Sequence, residues 1–388
     1  MIAELTPEHR ELCESAAAVC ARFDENYWAD KDRRKEFPRE FLAAIAAGGW
    51  LGMLVPEEYG GGDLGLLGAA AVMETVAASG AGITGATVVN MALFPIQPLV
   101  VYGSPEQKAK YLPRILSGEL QAAFGVTEPD AGTDTTRIRT FARRDGDVYV
   151  VSGQKTYISK MLVAHKVLLL TRTTPYEQVT KKTDGMTLLF ADVDRTAIEI
   201  RPMGKLGVRA VDTSQLFIDN LTVPVADRIG EEGRGFHTLL DGINPERVLL
   251  AAEAIGTARA ALRRAVQYAK DRIVFGRPIG ANQAIQFPLA EAHAALEAAT
   301  LMVRRAAWLY DQKRPCGAEA NLAKLVAAEA ACQACDVALQ VHGGAGYVEE
   351  FHVERYWRET RLVKLAPVSQ EMVKNYVAQK VLGLPRSY

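Results

Sequence analysis

Val148-Tyr149-Val150-Val151, Val167-Leu168-Leu169-Leu170-Thr171 and Met186-Thr187-Leu188-Leu189-Phe190-Ala191-Asp192-Val193 are short β-branched and aromatic runs set between turn residues. With Ile198–Ile200 and Gln215–Ile218 they occupy the chain between Phe124 and Asp227. Strands this short and this closely spaced predict a compact antiparallel sandwich or barrel.

On both sides the texture is helical. Leu12, Ala16, Val19, Cys20 and Phe23 recur at helical spacing and make one apolar stripe. Thr6-Pro7 offers an N-cap and a first-turn proline, and Ser104-Pro105-Glu106-Gln107 repeats the device with a capping box. Pro113 is expected to interrupt the helix that follows. After Gly235 the periodicity returns in four long segments, Ala251–Asp271, Ala284–Gln312, Ala318–His342 and Val368–Leu382. The chain, at 388 residues too long for one core, reads as an α+β multidomain protein. An N-terminal α-helical domain (1–121) precedes a middle antiparallel β-sandwich or barrel (122–230) and a C-terminal four-helix bundle (231–388).

Basic and acidic residues balance, 45 against 46, and no basic arm or stripe gives footing for nucleic acid. Residues 75–105 carry no charge, yet contain four glycines, Asn90, Pro95, Gln97 and Pro98. A buried helix and loop fit that stretch better than a membrane span. Met1–Glu8 has neither the basic nor the apolar part of a signal peptide, so a cytoplasmic protein is expected. Five cysteines make no disulfide framework. Cys332 and Cys335 share a helix face without a second ligand pair, which favours packing over redox or zinc roles, and no metal is expected.

Gly60-Gly61-Gly62-Asp63-Leu64-Gly65 satisfies G-x-G-x-x-G, but Pro56-Glu57-Glu58-Tyr59 stands where a strand is needed. It reads as a loop.

Four other segments carry a resemblance. They are Phe124-Gly125-Val126-Thr127-Glu128-Pro129-Asp130-Ala131-Gly132-Thr133-Asp134 with Gly153–Ser159; Lys205–Arg209 with Asp212-Thr213; Arg272–Ile279 with Gln283 and Gln286; and Gln340–Tyr347. In order and spacing, over essentially the whole chain, these resemble the FAD-dependent acyl-CoA dehydrogenases, and the α–β–α reading agrees with that family's fold. A flavin needs donors aimed at its N5 and carbonyl edge, where charge gathers as hydride arrives. The resemblance puts Phe124, Val126, Thr127, Tyr157, Ile158 and Ser159 along the isoalloxazine, with Thr127 and Ser159 as donors. Tyr157 stands where tryptophan is more usual; its plain reading is a sandwich-core aromatic. Thr133 is carried over to both cofactor and substrate. Arg272, Phe275, Gln283, Gln340, Gly343 and Gly344 are implied to reach the FAD of a neighbouring subunit, hence a homo-oligomer, usually a tetramer. Read alone, Gly343-Gly344 also serves as a helix C-cap.

The reaction needs a carboxylate beside the substrate α carbon. Many relatives carry it in a turn before the last helix, where this chain has Leu365-Ala366-Pro367-Val368-Ser369. Pro367 cannot accept a proton, and it lacks the N–H that in the family helps hold the thioester carbonyl. Isovaleryl- and long-chain-type relatives place the base in a Glu-Arg pair on a helix instead, matched here by Asn244-Pro245-Glu246-Arg247. The resemblance makes Glu246 the base and Asn244 and Arg247 substrate contacts. Locally the same four residues also read as a helix start, with Asn244 as N-cap. Ser369 and Glu371 match positions touching FAD.

The implied function is dehydrogenation of an acyl-CoA to a trans-2-enoyl-CoA, with an electron-transfer flavoprotein as acceptor. An acyl-carrier-protein thioester, an oxidase or monooxygenase on the same fold, and a non-catalytic flavin-binding scaffold remain the alternatives.

Overall fold

A computed structural model describes residues 4–387. The N-terminal helices are α1 (Pro7–Cys20), α2 (Glu25–Arg34), α3 (Arg39–Ala47), α4 (Gly65–Val76), α5 (Gly82–Leu93), α6 (Gln97–Tyr102) and α7 (Pro105–Leu116). The expected caps form: Thr6 accepts from the His9 amide, where the His9 side chain also completes a capping box, and Ser104 accepts from the Gln107 amide in the expected one. Pro113 does not end α7. It falls in the last turn, where little helix remains to be broken. Gly60–Asp63 is a loop, as its sequence predicts. A Cβ on Gly61 would lie 1.9 Å from the Val55 carbonyl oxygen, so that glycine serves a close chain crossing.

The uncharged stretch folds as the end of α4 followed by α5 and α6, rather than as one helix. Gly80 (φ 110°) and Gly82 (φ 64°) turn the chain between α4 and α5. Residues Gly65–Tyr102 pass a length-and-hydropathy test for a membrane span, but 72% of the qualifying window is buried within the protein. The turn is bolted from the C-terminal region. Arg355 donates to the carbonyls of Gly80 (2.6 Å) and Ala81 (3.3 Å), while Glu359 accepts from the Thr84 amide (3.0 Å) and hydroxyl (2.7 Å).

The middle region holds β1 (Ala122–Gly125), β2 (Phe141–Asp145), β3 (Val148–Ser159), β4 (Lys166–Arg172), β5 (Met186–Asp192), β6 (Ile198–Pro202), β7 (Thr213–Pro224) and β8 (Arg228–Ile229), in the order β6-β7-β3-β2-β4-β5-β8. Pairing is mostly antiparallel; β1 joins β4 in parallel. β4 is buried along its whole length. Val167 and Leu169 face the sheet's own small core with Leu189 and Ala191, whereas Leu168 and Leu170 face the helices with Leu188 and Phe190. Period-two alternation with both faces covered explains why this run is apolar throughout.

Beyond α8 (Gly235–Asp241) come α9 (Ile243–Asp271), the hairpin β9 (Ile273–Val274) and β10 (Arg277–Pro278), α10 (Gln283–Asp311), α11 (Gly317–His342), α12 (Val353–Thr360) and α13 (Gln370–Tyr376). Alanines dominate the buried faces of α9 and α11, which lets backbones approach closely. A Cβ on Gly256 of α9 would stand 2.2 Å from the Glu74 carbonyl oxygen of α4. Cys335 is buried and Cys332 half-buried on the inner side of α11, with the Cys332 thiol donating to the Thr360 carbonyl at 3.3 Å. The helices on either side of the sheet in sequence pack on one another, with α9 lying against α4 and α5 as well as α10 and α11.

Candidate active site

Glu246 lies in the first turn of α9. The helix-start reading of Asn244 is not what forms: the N-cap is Gly242, in helical conformation and without a side-chain cap. Asn244 already sits inside the helix, because α8 runs almost directly into α9 and supplies the preceding turn. Its Oδ1 accepts instead from the Arg247 guanidinium at 2.8 Å.

The Glu246 side chain is buried, 6% exposed. One oxygen accepts a long bond from Asn90 Nδ2 on α5, at 3.4 Å; the other has no protein partner. Burial pushes the carboxyl up to about 8, and the Asn90 amide pulls slightly the other way. No cation pairs with it among the described residues, so the group is a nearly unsolvated carboxyl that titrates near neutrality. Such a group is suited to take a proton from carbon at physiological pH. Arg247 is half-buried, its Nε unpartnered among the described residues and its pKa lowered by desolvation, with Tyr376 of α13 facing it.

The Pro367 turn offers no acid. It is held by Lys324 of α11, whose Nζ donates to the Val368 carbonyl at 2.8 Å. Ser369 caps α13, accepting from the Met372 amide at 3.4 Å. Thr133, Ser369 and Glu371 come together with Met372, Asn375 and Ser387 around one cleft. Thr133 reaches it on a loop fixed by the buried Glu128, which accepts from the Arg139 amide (2.6 Å), the Thr140 amide (2.9 Å) and Lys155 Nζ (2.9 Å).

At the sheet edge the register of β3 against β7 slips between Lys155 and Ile158. The bulge throws Tyr157 outward with φ 59° and its side chain 65% exposed. The core-aromatic reading of Tyr157 is therefore excluded. Val126 and Ile158 are buried, leaving only their backbone to face a ligand. Thr127 and Ser159 are half-buried, and their hydroxyls bond no other protein group among the described residues. Phe124 packs against Phe94 with the rings tilted and their centroids 4.5 Å apart. An outward-facing ring beside two free hydroxyls fits a flat, hydrogen-bonding cofactor.

Arg272, Phe275, Gln283, Gln340, Gly343 and Gly344 are elsewhere. They cluster at the far end of α9, about 40 Å from Glu246 along its axis at 1.5 Å per residue. Phe275 projects fully from its hairpin, and Tyr347 is 85% exposed. Gly343 caps α11 with φ 58° and ψ −132°, so its local reading as a cap holds. The two groups of residues thus lie at opposite ends of α9.

Family models of the acyl-CoA dehydrogenase N-terminal, middle and C-terminal domains match residues 6–119, 123–221 and 233–382. The chain belongs to the acyl-CoA dehydrogenase family. It is 39% identical over 386 residues to acyl-CoA dehydrogenase FadE12 of Mycobacterium tuberculosis, covering 98% of this chain and 97% of that one. The crystal structure of an acyl-CoA dehydrogenase from Geobacillus kaustophilus superposes with a TM-score of 0.92 at 30% identity, covering 98% and 100% of the two chains. The prolyl acyl carrier protein oxidase AnaB also superposes at 0.92, with 27% identity, covering 98% of this chain and 100% of that one. The acyl-CoA dehydrogenase fold seen here is that of FAD-dependent oxidoreductases.

Asn90, Gln97, Glu253, Lys324 and Tyr376 join the site without having been singled out from sequence. The available signal was polar side chains inside otherwise apolar helical runs: Asn90 and Gln97 in the uncharged stretch, and Glu253 among the alanines of α9.

Proposed function

We propose that this acyl-CoA dehydrogenase oxidises an acyl-CoA thioester to the trans-2-enoyl-CoA, with Glu246 removing the α-proton. The observation that carries the reading is Glu246 itself, a buried carboxyl with one weak donor and a pKa raised to about 8. FAD, when bound, accepts the hydride from the β carbon. Thr127 and Ser159 are positioned to donate to the flavin edge, and Tyr157 to lie against its ring. Phe124, with the backbones of Val126 and Ile158, backs that surface. Thr133, Ser369 and Glu371 line the cleft at its margin, while Asn244 and Arg247 frame the acyl group beside the base. Arg272, Phe275, Gln283, Gln340, Gly343 and Gly344 serve the cofactor of a second copy, which makes the enzyme a homo-oligomer. Their distance from Glu246 supports this, as do the exposed Phe275 and Tyr347. An electron-transfer flavoprotein is the acceptor this chemistry calls for.

A second reading is an oxidase, or an enzyme acting on a carrier-protein thioester. Pro367 favours it, because its missing N–H alters how a thioester carbonyl is held, and so does the likeness to a carrier-protein oxidase.

The test is anaerobic titration of the yellow protein with saturated acyl-CoAs of graded length, following flavin absorbance in wild type and Glu246→Gln. Bleaching in wild type that is lost in the variant supports the assignment. Bleaching that survives in the variant removes Glu246 as the base. No bleaching by any acyl-CoA favours a carrier-protein thioester, and rapid reoxidation of the bleached flavin by air favours an oxidase.

A further inference from the structure

Glu253 follows Glu246 by seven residues on the same face of α9, two turns or about 10 Å along the axis. It is fully buried, and among the described residues neither carboxyl oxygen has a hydrogen-bond partner. Asn90 faces Glu253 as well as Glu246, and its own Oδ1 is unpartnered. Burial, and then repulsion from Glu246, push Glu253 far above the usual carboxylate range. The shift favours the protonated carboxyl, which can donate a hydrogen bond as well as accept one. One turn further, Gly256 lies against the α4 backbone.

Beyond Glu246, the contact between α5 and α9 therefore carries bare polar atoms. A saturated alkyl chain would cover them and leave every one unbonded. Unsatisfied buried polar groups are uncommon in folded proteins and disfavour any ligand that cannot pair with them.

We propose that the Glu253 carboxyl and the Asn90 amide form a polar floor to the acyl pocket, selecting acyl thioesters that carry a hydroxyl or keto oxygen a few carbons beyond the β carbon. This rests on the dehydrogenase reading above and adds the substrate class. Floor and base are distinct: Glu246 meets the α carbon, and Glu253 meets the distal oxygen. A site built to hydrogen-bond a group discriminates strongly against the analogue that lacks it, whereas a missing methylene changes little.

The test uses the holoenzyme and matched pairs of CoA esters, six to eight carbons long, with and without a hydroxyl or keto oxygen toward the distal end. Binding is read from ligand-induced melting shifts, and turnover from anaerobic flavin bleaching. Wild type is expected to favour the oxygenated member of at least one pair by about tenfold or more in kcat/KM. Glu253→Leu reverses that preference, and Glu253→Gln keeps much of it. Equal or better use of plain alkyl esters by wild type at every length overturns the proposal, and this outcome needs no variant to fold. A Glu253→Leu enzyme whose pH profile moves while its substrate ratio stays fixed also overturns it, assigning Glu253 to tuning of Glu246. If both members of a pair bind and neither bleaches the flavin, the dehydrogenase reading fails, while the binding ratio still decides the floor.

Discussion

Asn90 donates its side-chain amide to Glu246 across the contact between α5 and α9, Nδ2 to Oε1 at 3.4 Å, and is the carboxylate's one donor among the described residues. A single long bond in a buried setting leaves the carboxyl dominated by desolvation, which disfavours its charged form. Activity in the free enzyme should therefore rise with pH and level off above about 8, where Glu246 is ionised. The pH profile of kcat/KM checks this.

Removing the donor extends the same logic. The Asn90 amide favours the ionised form of Glu246. Asn90→Leu keeps the volume nearly constant and removes that bond, so the rising limb of the kcat/KM profile should move to higher pH. A profile that stays in place, or moves to lower pH, would show that another group sets the ionisation of the base.

The raised pKa also carries a stability signature. Glu246 titrates near 4.5 in the unfolded chain and near 8 in the folded one. The native state therefore holds a proton that the unfolded state gives up above 4.5. Stability from this group is complete below 4.5 and is lost progressively as pH rises to about 8. At about 1.4 kcal/mol per pH unit the loss is on the order of 3 kcal/mol by pH 7. Glu246→Gln should thus be more stable than wild type in this window, by a margin that grows from pH 5 to pH 8. Denaturant unfolding at several pH values measures it.

Much of the fold was legible because its signals are local. The runs at Val167–Thr171 and Met186–Val193 alternate between two covered faces, and that pattern needs no partner to be recognised. The site was less so. Asn244-Pro245-Glu246-Arg247 matches a helix start as well as it matches a base, and only the turn supplied by α8 removes the first option. Asn90 lies 156 residues from Glu246, and nothing in either segment points to the other. Glu253 reads as a solvated position on an alanine-rich helix until α4 and α5 close over it. Tyr157 turns outward because of a register slip in β3, which composition does not reveal.

Glu128 and Lys155 form a buried ion pair at 2.9 Å that ties the Thr127–Thr140 loop to β3. Glu128→Ala strands the Lys155 ammonium, which keeps only the Val126 carbonyl, at 2.9 Å, as partner. An orphaned buried charge costs about 3–5 kcal/mol. Replacing both residues by apolar ones, as in Glu128→Leu with Lys155→Met, should cost less than the sum of the single changes. Thermal unfolding of the three variants gives the comparison, and flavin retention should fall with Glu128→Ala as the loop bearing Thr127 and Thr133 comes loose.

Gly343 and Gly344 separate structural from functional glycine. Gly343 closes α11 in a region that side-chain-bearing residues rarely occupy, with nothing within 4 Å of an added Cβ. Gly343→Ala therefore pays in backbone strain alone, about 1–3 kcal/mol. Gly344 has ordinary backbone geometry, and an added Cβ there also meets open space. Nothing within the protein requires it to be glycine. If its backbone approaches the cofactor of a second copy, Gly344→Ala should leave the flavin-free melting temperature within about 0.5 kcal/mol of wild type in stability while weakening flavin retention severalfold. Gly343→Ala should lower both. Equal flavin affinity in wild type and Gly344→Ala would place this turn away from the cofactor, and with it would fall the assignment of Arg272, Phe275 and Gln340 to a shared site.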